Sequence, residues 1–114
     1  MKLDEFTSEY IETALWISTD DEGNPLDNRF DADDIALATL KQMKEDCEAF
    51  QRDHADDVAA DPGRAGHDFW LTRNRYGAGF WDGAWEPEVG KRLTEASHAY
   101  GSVNLYIHEG KVHG

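Results

Sequence analysis

The sequence predicts an α+β domain of three helices packed on a small antiparallel sheet, in the order α-α-β-β-α-β-β. Three observations carry that expectation. Apolar residues recur at helical spacing through residues 6–17 and again through 40–58. After Gly63 the period changes towards two. Near the end, Val103, Leu105 and Ile107 alternate with Asn104, Tyr106 and His108, the pattern of a half-buried strand. A chain of 114 residues suits a single domain, 1–114, with residues 1–63 as a helical half and 64–114 as a sheet half.

The elements follow in order. Thr7 or Ser8 can cap a first helix whose stripe is Phe6, Tyr10, Ala14 and Ile17, widened by Ile11 and Leu15, and which ends near Thr19. Asp20 to Pro25 is rich in turn residues and forms a charged loop. Asp31 is placed to cap a long second helix carrying Leu40, Met43, Cys47, Phe50, His54 and Val58 on one face, closed by Asp61-Pro62-Gly63. Phe69-Trp70-Leu71-Thr72 reads as a strand, Tyr76 to Gly79 as a turn, and Phe80-Trp81 as a second, antiparallel strand. On that reading Phe69, Leu71, Phe80 and Trp81 cover the core face of the sheet. A third helix runs from Pro87, at the permitted first position, to Tyr100, with Gly101 as its stop. Glu109-Gly110 then turns the Val103–Ile107 strand into a last one at Lys111 to His113.

Charge is distributed unevenly. The net charge is −13, from 24 Asp and Glu against 11 Lys and Arg. Residues 1–63 hold 18 acids and 5 bases, and residues 64–114 hold 6 of each, so the whole excess precedes Arg64. Eight of the 13 aromatic residues lie in the neutral half. Such a balance argues against direct binding to duplex DNA or to anionic lipid, both of which need basic groups. No apolar run approaches the ~20 residues of a membrane span, and the start resembles no secretory signal. The lone Cys47 cannot form an internal disulfide, which fits a reducing cytoplasm.

The densest motif is Gly66-His67-Asp68-Phe69-Trp70-Leu71-Thr72-Arg73-Asn74-Arg75-Tyr76-Gly77-Ala78-Gly79-Phe80-Trp81-Asp82. Here the chain resembles a family of small acidic proteins of bacteriophages and prophages that share the string H-D-F-W-x-T-R-N-x-x-G-A-G-F-W-D. The resemblance extends over residues 64–113 and departs after Trp81, where Trp85, Pro87 and extra acids replace a Gly-rich link. It implies phage context, with a bacterial host cytoplasm, and no particular chemistry, because the family has no established activity.

Three sets of candidate site residues emerge. The first is an acidic face, Asp20, Asp21, Glu22, Glu45, Asp46, Asp53, Asp56 and Asp57, which would engage a host or phage protein that handles nucleic acids. A 28-residue second helix would span roughly 42 Å, over which duplex DNA places roughly 25 charges, so one copy imitates a duplex only in part and a homodimer would match it better. The second is an exposed hairpin, Trp70, Arg73, Arg75 and Tyr76, offering aromatic and guanidinium groups to a peptide or single-stranded nucleic acid. The third is His67, Asp68 and Asp82, as a metal or acid-base site. The remaining histidines show no metal-ligand spacing, and Gly77-Ala78-Gly79 lacks the rest of a nucleotide fingerprint. The expected protein is therefore a non-enzymatic binder without cofactor or metal.

Overall fold

The computed structural model describes residues 3–114 and shows a helical protein with one small hairpin. Its α-helices are α1 (Glu5–Ile17), α2 (Leu37–Asp53), α3 (Ala55–Val58), α4 (Pro62–Arg73) and α5 (Pro87–Ala99). Two short 3-10 turns, Leu26–Asn28 and Ala32–Asp34, lie between α1 and α2. Strands β1 (Tyr106–His108) and β2 (Lys111–His113) form the only sheet among the described residues. The expectation of three helices on a sheet is therefore overturned: the described residues form five α-helices, and the sheet is a single two-stranded hairpin.

The largest correction concerns residues 62–82. Asp61-Pro62-Gly63, read as the end of a helix, instead starts one. The Asp61 carboxylate accepts the Arg64 N–H at 3.2 Å, and Pro62 occupies the first turn, where its missing N–H is no loss. Phe69-Trp70-Leu71-Thr72 is thus the second half of α4, with all four side chains buried. No strand forms at Phe80-Trp81 either; the segment is an irregular loop with Phe80 buried and Trp81 exposed. Arg75 ends α4 at a φ of 59°, with Arg75 N–H donating to the Thr72 carbonyl and Tyr76 N–H to that of Leu71. That is a left-handed cap with Arg where glycine is usual.

Elsewhere the differences are of extent. Asp4, not Thr7 or Ser8, caps α1, accepting the Thr7 N–H at 2.7 Å. Asp31 does cap, but its product is the Ala32–Asp34 turn, where Asp34 returns a bond to the Asp31 N–H at 2.9 Å. The long second helix is broken at His54, whose φ of −130° and ψ of 33° separate α2 from α3. Helix α5 follows its expected span within a residue, capped by Glu86. The hairpin pairs Ile107 with Val112 and turns at Glu109 and Gly110, both at positive φ. Val103 to Leu105 lies outside β1.

The core is aromatic. Helix α1 packs most extensively on α4, where Gly66 lets the two backbones meet, since a Cβ there would collide with the Phe6 carbonyl oxygen. Phe6, Tyr10, Phe50, Phe69 and Phe80 are all buried, and the Phe50 and Phe69 rings stack at 4.2 Å. Tyr10 meets Trp70 edge-to-face at 5.3 Å. Pairs of this kind contribute about 0.5–1.5 kcal/mol each beyond their buried area. The long axis of the molecule measures 42 Å.

Candidate interaction surface

Helix α4 and its cap residue Asn74 place three pairs of residues, each four apart, and His67 on different sides of one cylinder. Asp68 and Thr72 face the loop that follows. Asp68, 1% exposed, accepts Arg64 Nε at 3.2 Å and Trp85 Nε1 at 2.7 Å. Thr72 Oγ1 accepts the Phe80 N–H at 3.1 Å. Phe69 and Arg73 face the core. Trp70 lies against Tyr10, while Asn74 accepts the Val103 N–H at 2.8 Å and donates to the Trp70 carbonyl at 2.9 Å. His67 faces α1, with Nδ1 at 2.8 Å from Thr13 Oγ1. Because the Thr13 hydroxyl donates its one proton to the Glu9 carbonyl, the imidazole is the donor in that contact.

Arg73 is the centre of this network. It is 4% exposed, yet its guanidinium donates to the Gly101 carbonyl (2.8 Å), the Tyr10 hydroxyl (3.0 Å), Asp46 Oδ2 (2.9 Å) and the Tyr100 carbonyl (3.1 Å). Burial opposes the charge, but Tyr10 and Asp46 outweigh it and hold the guanidinium above its ordinary pKa. Burial also pushes the Tyr10 phenol upward, as it does the Cys47 thiol, which leaves Cys47 a poor nucleophile.

The hairpin set is corrected accordingly. Trp70 is 1% exposed and Arg73 is interior, so neither projects from a binding tip; only Arg75 and Tyr76 are exposed. The Trp70 indole N–H is buried without an acceptor among the described residues. His67, Asp68 and Asp82 do not act together either. Arg64 links Asp68 to Asp82, the latter at 3.9 Å, while His67 turns away to Thr13 and stacks on Trp16. Among the described residues no group of three or more His, Cys, Asp and Glu side chains is placed to hold a metal ion.

The eight predicted acids divide into two groups. Asp20 shapes its own loop, accepting the Glu22 and Asn24 N–H groups at 2.9 Å each; the Asn24 bond foremost holds its carboxyl below the usual range. Asp46 neutralises Arg73. Asp57 holds Arg92 through two bonds, of 2.8 and 3.2 Å, tying α3 to α5. Asp21, Glu22, Glu45, Asp53 and Asp56 are exposed, and Asp53 has Arg52 beside it at 3.6 Å. Three of the eight acids are thus engaged within the molecule, and five face outward.

One feature escaped the sequence reading. Between α1 and residues 27–33 runs an open groove of about 520 Å³. Leu15 and Phe30 contribute to its apolar lining, Trp16 stands at its wall 53% exposed, and Glu12, Asp27, Asp31 and Asp33 edge it. The signal was available: Trp16 falls off the Phe6–Tyr10–Ala14 stripe and sits one turn after Glu12.

No helix among the described residues is long and apolar enough to cross a membrane. No family model, curated protein or solved structure matches the chain.

Proposed function

We propose that this chain is a non-enzymatic accessory protein of a phage or prophage, which binds and inhibits a nucleic-acid-handling protein through its acidic surface. The observation that carries the reading is the disposition of the charges. Arg64, Arg73 and Arg92 in the neutral half are paired with carboxylates, whereas Asp21, Glu22, Glu45, Asp53 and Asp56 face outward. Arg75, Lys91 and Lys111 are exposed as well, but exposed acids outnumber exposed bases, a balance that favours meeting a protein that binds a phosphate backbone over meeting the backbone itself. The phage context rests on the motif at residues 66–82 alone. Catalysis gains no support, since His67, Asp68 and Cys47 are each held in structural roles.

The imitation of nucleic acid is partial. Helix α2 has 17 residues and is about 25 Å long. Spread along the 42 Å axis, 13 net charges fall about 3 Å apart, near the spacing of one DNA strand and about half the density of a duplex. Steering and competition for a basic cleft fit that density better than a close copy of a double helix.

Competition measures this directly. Heparin-binding proteins from a bacterial host, immobilised on labelled duplex DNA, should release it when the protein is added at low salt, with release fading as salt rises. Glu45→Lys, Asp53→Lys and Asp56→Lys together should abolish release while each shifts stability by only about 0.5 kcal/mol or less. Release that is absent throughout, or unchanged by the reversals, sinks the proposal.

A further inference from the structure

We propose that the groove between α1 and residues 27–33 is an anchoring site for an arginine-bearing apolar segment of a protein partner. The inference rests on the reading of the protein as a binder of basic surfaces, and it names the contact that would give such binding its grip. Exposed carboxylates alone give on-rate and salt dependence; affinity concentrates where an aromatic or guanidinium group is desolvated in a pocket. Four of the five outward acids border depressions that already hold a basic side chain, Arg29 beside Asp21 and Glu22, Lys41 and Lys44 beside Glu45, and Arg64 beside Asp56, so none of these offers a partner's guanidinium an acidic pocket free of basic groups.

The groove does. Leu15 is 3% exposed, so the floor is part of the core surface and is not a mobile side chain laid over it. Phe30 is half-buried beside it, and Trp16 offers an exposed indole at the wall. A volume of about 520 Å³ lies within the roughly 300–1,000 Å³ of ordinary ligand sites. Glu12, Asp27, Asp31 and Asp33 are exposed at the edge, and among the described residues no Lys or Arg lines the groove. Arg29, next to Phe30 in sequence, lies over the Phe30 ring at 5.3 Å and lines the depression beside Asp20–Glu22.

Apolar floor, indole wall and carboxylate edge together select the occupant. A neutral apolar peptide would leave the edge carboxylates unanswered. A polycation without apolar side chains would leave the floor wet. An arginine suits all three surfaces: its methylene stem lies on Leu15 and Phe30, its plane stacks on the indole, and its fork meets carboxylate oxygens. Flanking apolar residues fill the remaining floor. Lysine, a strongly hydrated point charge, suits the stacked position less well.

The test uses the full chain and a synthetic peptide, acetyl-Gly-Leu-Arg-Leu-Arg-Leu-Gly-amide, followed by calorimetry at physiological salt. Saturable one-to-one binding is expected, weakened about tenfold or more by Trp16→Ala and comparably by Asp27→Asn with Asp33→Asn. The lysine version of the peptide should bind several-fold more weakly, and hexa-arginine, despite its greater charge, more weakly still. The Glu45, Asp53 and Asp56 reversals should change peptide affinity by less than about threefold, because they lie on other elements. Trp16 is exposed, so Trp16→Ala is expected to fold, and the Asp pair gives an independent reading if it does not. Hexa-arginine binding best, or the α2–α3 reversals outweighing Trp16→Ala, would mean diffuse attraction and overturn the site. Concentration-dependent self-association that Trp16→Ala abolishes would assign the groove to a second copy and overturn it too. If the peptide binds as expected while the DNA-release assay fails, the functional reading falls and the arginine site stands.

Discussion

Helix α4 and the segment from Asp20 to Asp34 are both rich in polar groups, and they use them in opposite ways. In α4 the polar side chains reach across the molecule: Arg73 to residues 10, 46, 100 and 101, Thr72 to Phe80, Asp68 to Trp85, Asn74 to Val103. In the 20–34 segment they satisfy their own neighbours or face water, as Asp20 does with Glu22 and Asn24, and Asp31 with Asp33. Charges of the first kind specify the fold. Charges of the second kind leave the surface available to a partner. Much of the conspicuous motif thus holds the fold, with Arg75, Tyr76 and Trp81 left exposed, and the plainer segment borders the groove.

The sharpest way to break the contrast is Arg73→Ala. Its removal leaves Asp46, 17% exposed, without its counter-charge and several acceptors unfilled, and should cost about 3–5 kcal/mol in urea unfolding. Arg73→Lys should recover only part, since an ammonium cannot reach four acceptors in a plane. Next in size is Gly66→Ala, where the added methyl meets Phe6 backbone; a loss of about 1–3 kcal/mol is expected, with α1 displaced from α4. A loss under half a kcal/mol would mean that the interface yields more easily than its geometry suggests.

Smallest is Asp4→Ala, which removes the α1 cap and should cost about 1 kcal/mol at neutral pH. Its pH dependence carries the sign. Burial works against the Asp4 carboxylate, but bonds from Thr7 and Gln51 prevail and lower its pKa beneath the ordinary 3.8. Its contribution is thus complete above pH 3.8 and fades as the pH falls through the lower, folded-state value. Wild type and Asp4→Ala should converge in stability only in that acid range, and convergence at pH 6 would show that another group controls it.

How much of this was legible depends on the distance over which each residue acts. Helices α1 and α5 were readable because a stripe and a terminal signal agree within one segment. Helix α4 was misread because Phe69-Trp70-Leu71-Thr72 is short, aromatic and β-branched, and such a run is ambiguous between strand and buried helix. Asp61-Pro62 held the answer, as a cap followed by a first-turn proline, but the same residues also suit a helix end. Arg73 and Trp70 looked like surface binding residues because nothing local announces a partner 63 residues away at Tyr10. The count of acids was readable; which of them Arg73 and Arg92 occupy was not.

Arg73 also bears on how the molecule comes apart. Its guanidinium site is assembled from α1, α2, the end of α4 and the turn after α5, so no one of these elements can leave without opening the others' bonds. Amide protons in α1, α2 and α4 should therefore exchange with solvent as one cooperative unit, while strand β1, exposed at all three of its residues and outside the Arg73 network, should exchange sooner.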